Sequence, residues 1–104
     1  MTFFIVHYVH HNLELWQRHL AAHVDYLKRA VSEGILRASG PPRETGRSSR
    51  EGLLIFACPD RDTLIASIVT DPFHIHGVVD EMTITVWDPV FGCFSSESSG
   101  QTGQ

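Results

Sequence analysis

Histidine is the residue type that suggests chemistry in this sequence. Seven occur among 104 residues, at positions 7, 10, 11, 19, 23, 74 and 76. Imidazole titrates near neutrality and also binds metals, so this abundance points to proton transfer or metal ligation. The densest stretch is "VTDPFHIHGVV" (69–79), which places Asp71, Pro72, Phe73, His74 and His76 within six positions. A carboxylate bonded to an imidazole fixes its tautomer and makes it a better proton acceptor. Asp71 is therefore a candidate partner for a distant histidine, and His23 is the candidate base. Pattern alone does not bring them together. Asp71 also suits a turn before Pro72, and His23 suits a partly buried helix position.

Other groupings carry weaker signals. His19 and His23 have the i, i+4 spacing of helical zinc ligands, and other histidines are available to complete such a set. No HExxH occurs, however, and neither Cys58 nor Cys93 lies near a histidine in sequence, so hydrogen-bonded or solvated histidines are favoured. Arg43, Arg47 and Arg50 fit an anion-binding lid, but Glu44 and Glu51 offset them and a solvated loop is favoured. Cys58 lies in an apolar strand and reads as a core thiol rather than a nucleophile. Trp16, Phe56, Phe73, Trp87 and Phe91 fit an aromatic pocket or a plain core equally well.

These residues are positioned by a simple succession of elements. Residues 2–9 form a strand that is apolar on both alternating sets. Asn12 caps a helix over 13–33, with Leu13, Trp16, Leu20, Val24, Leu27 and Val31 along one stripe and Gly34 as the stop. Strands follow at 35–39 and 53–59, joined by a Gly- and Pro-punctuated loop at 40–52. A second helix runs from about 60 to 69, and Asp71 marks a break before Pro72. Residues 73–77 form a helical turn and 82–91 a fourth strand. The expected organisation is one domain over 1–94, then a disordered Ser/Gly/Gln tail over 95–104.

The order βαββαβ gives an α+β, ferredoxin-like fold, with an antiparallel four-stranded sheet and two helices on one face. Helices cover one face only, yet the strands are apolar on both. A homodimer packed sheet to sheet follows as an expectation. The net charge of −4 argues against nucleic acid or an anionic membrane as partner. The N-terminus lacks the basic region and cleavage site of a signal peptide. Two cysteines without a CxxC suit reduced thiols in a cytoplasmic protein.

Two segments together resemble a known family. "HVDYLKRAVSEGILRASGP" (23–41) has a histidine opening a helical run, a glycine eleven positions on, and a strand ending in Gly-Pro. "DPFHIHGVVDEMTITVWDPVFG" (71–92) has Asp-Pro-Phe, a glycine, and a last strand ending in Trp, Pro and Phe-Gly. Both resemble the YciI-like proteins of the dimeric α+β barrel superfamily, over about Phe3 to Gly92. The resemblance implies a His–Asp dyad in a pocket beside the sheet, at His23 and Asp71. It also implies cofactor-free chemistry, because similar proteins remove chloride from a chlorinated hydroxyhydroquinone or move protons on ring-derived substrates.

The expected function is a lyase or isomerase acting on a small hydroxylated aromatic. His23 is the base, Asp71 its orienting partner, and His7, Phe73, His74 and His76 are candidate substrate contacts. His74 and His76 lie outside the family pattern. The alternative is a non-catalytic barrel that binds a small molecule.

Overall fold

The computed structural model describes residues 1–44 and 48–100. The elements are β1 (Thr2–His10), α1 (Leu13–Ser32), β2 (Leu36–Gly40), β3 (Arg50–Cys58), α2 (Arg61–Ile68), α3 (Pro72–Ile75) and β4 (Glu81–Trp87), followed by a 3₁₀ turn at Ser95–Glu97. The strands form one sheet in the order β2-β3-β1-β4, and every pairing is antiparallel. This is the ferredoxin-like α+β fold expected from the sequence.

β1 lies at the centre because it is the most continuously apolar strand. Its even-numbered side chains, Phe4, Val6, Tyr8 and His10, are all buried. Val6 pairs with Leu54 and Phe4 with Phe56 of β3, so these residues share the helix-covered face. Tyr26 and Ala30 of α1, Leu64 and Ile68 of α2, and Phe73 and Val78 close the same core. The opposite face presents Ile5, His7, Val9 and Ile55 half-buried and Leu53 exposed, with Thr83 and Thr85 at its edge. No α-helix among the described residues packs on it; Phe94 and Arg37 pack on Phe3 at one end.

α1 is rotated from the stripe read in the sequence. Its buried residues are His23, Tyr26 and Ala30. Trp16, Leu20, Val24 and Leu27 are only half-buried, and Val31 is exposed. The apolar stripe therefore flanks the helix–sheet contact instead of forming its centre, and a cavity is left beneath it.

The helix ends follow the expected local chemistry. The Asn12 side chain accepts from Leu15 N–H, and Gly34 takes φ +82 to turn the chain into β2. Asp60 caps α2 by accepting from Thr63 N–H.

Three boundaries differ from expectation. β3 starts at Arg50, inside the expected loop, because β1 continues to His10 and pairs His10 with Arg50 and Val9 with Glu51. β4 ends at Trp87, not at 91. Its last partner is Phe3, near the start of β1, and Pro89 has no N–H to extend the ladder. The tail expected to be disordered from residue 95 is ordered over 95–100. There Glu97 makes a bidentate pair with Arg37, at 2.5 and 2.7 Å, and Ser99 bonds to Asp88. The last four residues of that expected tail, 101–104, lie outside the described residues, as does Arg47 of the arginine loop. No helix among the described residues is long and apolar enough to cross a membrane.

The core assignment makes a direct prediction. Phe56→Ala removes a side chain that is 0% exposed and is expected to cost about 3–5 kcal/mol by urea unfolding. Val86→Ala, at 60% exposed, is expected to change stability by less than about 1 kcal/mol.

Candidate functional site

The structure brings His23 and Asp71 into contact across 48 positions of sequence. His23 sits mid-way along α1 on its buried side. Asp71 follows α2 and caps α3, its Oδ1 accepting from Phe73 N–H at 2.9 Å. Pro72 at the first turn of α3 excludes Asp71 from a continuing helix and leaves its carboxylate turned toward α1. His23 Nδ1 lies 2.8 and 2.9 Å from the two carboxylate oxygens. An ionised carboxylate only accepts, so Nδ1 carries the proton and donates to Asp71. In a neutral ring this leaves the lone pair on Nε2, which has no hydrogen bond among the described residues.

Asp71 is fully buried, yet it is well satisfied. Besides His23 and the Phe73 amide, it receives a long 3.4 Å bond from the Tyr8 hydroxyl. Burial, then the Asp71 charge, pushes the Tyr8 phenol far above its ordinary value, so Tyr8 remains a protonated donor. Phe73 stacks face to face on His23, with centroids 3.9 Å apart and planes 7° apart. The imidazole is thus held by a carboxylate at one nitrogen and by an aromatic face across the ring.

His23 lines a cavity of about 280 Å³ between α1 and the sheet. Trp16, Leu20, Val24 and Leu27 form its helical wall. Tyr8, His10, Gly52, Leu54 and Phe73 form the other side, and Ser39, Gly40 and Pro41 stand at the rim. Gly52 pairs with Tyr8 on the helix-covered face and contributes no side chain, and a Cβ built there meets nothing within 4 Å. The Arg50 guanidinium lies over the Trp16 ring, 5.4 Å from its centroid. The cavity is therefore small and largely apolar and aromatic, and its polar lining residues are His23, His10, Tyr8, Ser39 and Glu51. It suits a small ring and a proton transfer at His23 Nε2.

The other candidate residues separate clearly. Phe73 lines the cavity as expected. His7 does not: it lies on the open sheet face, where Nε2 is 2.7 Å from Glu51 Oε1. The odd-numbered positions of β1 point away from the helices, and this excludes His7 from the site. His74 stands edge-on to the Tyr8 ring at 5.2 Å, with Nε2 buried and unpartnered, and does not line the cavity. His76 is exposed and stacks on His19 at 4.0 Å, and neither lines the cavity. Cys58 is buried in the core, and burial raises its thiol pKa, as suits an inert cysteine.

His10 entered the sequence reading only among the histidines available to a metal set, and Tyr8 was not a site candidate. Their signal was available: strand alternation puts both on the same face of β1 as Phe4 and Val6.

The fold and this site together define a ferredoxin-like α+β protein with a buried His–Asp pair at a small cavity. The model of the YCII-related domain matches residues 1–88, and the chain belongs to that family. No curated protein matches it. One similar solved structure is the 5-chloro-2-hydroxyhydroquinone dehydrochlorinase of Burkholderia phenoliruptrix AC1100, in complex with 2,5-dihydroxybenzoquinone. It has a TM-score of 0.69 and 20% identity, over 82% of this chain and 92% of that one. An antibiotic biosynthesis monooxygenase (TM-score 0.55, 16% identity) matches over 85% of this chain and 97% of its own. A conserved protein from Methanosarcina mazei Go1 (TM-score 0.54, 17% identity) matches over 84% and 92%. At these identities the shared property is the fold.

Two predictions follow from the geometry. Burial lowers the pKa of both His10 and His74 below the ordinary 6.5, so each is more readily protonated in the unfolded chain. Stability is therefore expected to be full at neutral pH and to decline as pH falls through 6.5 toward the lowered folded values, read as the urea midpoint against pH. His10→Asn is expected to reduce that slope. Gly52→Val is expected to stay within about 1 kcal/mol of the parent by urea unfolding, because strands accept valine, while narrowing the cavity in a crystal structure of the variant.

Proposed function

We propose that this protein is a cofactor-free lyase or isomerase that moves a proton on a small hydroxylated aromatic, with His23 as general base and Asp71 as its orienting partner. The observation that carries this reading is the His23 imidazole itself. Its Nδ1 is fixed on a buried carboxylate, and its ring lines a cavity of ring size. The geometric likeness to a dehydrochlorinase holding a dihydroxybenzoquinone supports the substrate class.

In this account a ring hydroxyl gives its proton to His23 Nε2. The freed electron pair moves into the ring, which ketonises as the His23 imidazolium returns its proton to a ring carbon and Nε2 is freed to accept again. For a chlorinated hydroxyhydroquinone, loss of a further hydroxyl proton then expels chloride, and the net loss is HCl. For an unchlorinated substrate the same first steps shift a double bond. Asp71 stabilises the imidazolium that forms in between. His23 is 7% exposed and Asp71 0%, and this burial strengthens their interaction while the proton is in transit.

The test is chloride release from a chlorinated hydroxyhydroquinone, with His23→Ala and Asp71→Asn alongside. A positioned base contributes about 10² to 10⁴ in rate, so both variants are expected to lose roughly that much of the rate above background. Turnover that survives in His23→Ala contradicts the assignment of the base. Ring binding by the wild type without any turnover favours the non-catalytic binding module instead.

The reading extends to the assembly. Ile5, Val9, Leu53 and Ile55 leave an apolar stripe on the uncovered sheet face, and a second copy of this sheet supplies a matching surface. Light scattering is expected to give a dimer. A clean monomer contradicts the sheet-to-sheet arrangement.

A further inference from the structure

The cavity holds a second histidine that the proton-transfer steps above do not use. His10 is 2% exposed, and it lines the cavity with His23. Its Nδ1 is 2.8 Å from the Val78 carbonyl oxygen. A carbonyl only accepts, so Nδ1 carries the proton and donates. Burial is the leading influence on this ring and disfavours its charged form, assisted by His23. The Val78 bond, Asp80 and Asp71 oppose it, and the balance lies below the ordinary value. A neutral ring protonated at Nδ1 presents a bare lone pair at Nε2. That nitrogen has no hydrogen bond among the described residues. It is not sealed off either, in contrast to the buried, unpartnered Nε2 of His74.

Phe73 ties the two histidines together. Its face lies on His23 and its ring meets His10 at 4.8 Å and 61°. His23 and His10 are thus matched: each is fixed in the Nδ1–H tautomer by an oxygen, each leaves Nε2 without a hydrogen bond among the described residues, and both residues line the same small cavity. A buried acceptor left without a donor is costly, so the site discriminates against a ligand that supplies only one.

We propose that His10 is a specificity-determining residue and that the site selects rings bearing two hydroxyl groups, one donating to His23 Nε2 and the other to His10 Nε2. This rests on the reading that a ring substrate occupies the His23 cavity. A ring with one hydroxyl leaves His10 unpaired. A ring carboxylate in its place sets an acceptor against an acceptor and is rejected.

Calorimetry with the three dihydroxybenzene isomers and their monomethyl ethers tests this in the wild type and in His10→Asn. Asparagine keeps an amide donor for the Val78 carbonyl but has no atom at the Nε2 position. At least one dihydroxybenzene is expected to bind the wild type about tenfold more tightly than its monomethyl ether. In His10→Asn that ratio is expected to fall to about one. An undiminished ratio in His10→Asn overturns the role of His10 while leaving the His23 reading intact. No binding of any ring by the wild type overturns both. Should His10→Asn not fold, NMR of the imidazole nitrogens in the wild type decides the matter. The His10 Nε2 signal is expected to shift with the dihydroxybenzene and not with its ether, and equal shifts, or none, overturn the proposal.

Discussion

The arrangement depends on a buried carboxylate. Asp71 is 0% exposed, and an ionised carboxylate in that position is tolerated only when its oxygens are occupied. The protein supplies His23 Nδ1 from α1, the Phe73 amide from α3 and the Tyr8 hydroxyl from β1. These three donors come from three separate elements. Satisfying one side chain therefore fixes the approach of α1 to α3 and of both to the central strand. The same requirement that makes the pair stable makes it directional, because His23 is left with one free nitrogen and one place to present it.

The cavity is a consequence of how α1 sits. Had the stripe of Trp16, Leu20, Val24 and Leu27 faced the sheet squarely, it would have filled the space with core. Because His23, Tyr26 and Ala30 take the centre of the contact, the stripe becomes a wall instead. Gly52 on β3 keeps the opposite wall low, and Phe73 packs between the two imidazoles. Apolar residues that look like ordinary core in the sequence thus build the surroundings of the site, and the histidines enter it from the helix and the strand.

Much of this was legible in the sequence where the pattern is local. The dyad of β1 faces, the length of α1, its Asn12 cap and the Gly34 stop all follow from neighbouring residues. What was not legible depends on contacts between distant segments. The start of β3 at Arg50 is set by how far β1 extends, not by the polar residues of "RSSREG" themselves. The order of residues 95–100 depends on Glu97 meeting Arg37 across 60 positions. Among the histidines, spacing in the "DPFHIH" segment drew attention to His74 and His76, whereas the four-residue helix α3 turns both out of the cavity. His10 was within reach, since strand alternation continues from Tyr8 without interruption.

The central claim is that Asp71 holds His23 as a proton acceptor with its lone pair toward the cavity. NMR of the His23 imidazole nitrogens in the ligand-free protein at neutral pH, in the wild type and Asp71→Asn, tests it most directly. The account predicts that neutral His23 is the Nδ1–H tautomer in the wild type, with Nε2 unprotonated, and that this preference is lost in Asp71→Asn. A neutral ring protonated at Nε2 in the wild type would contradict it.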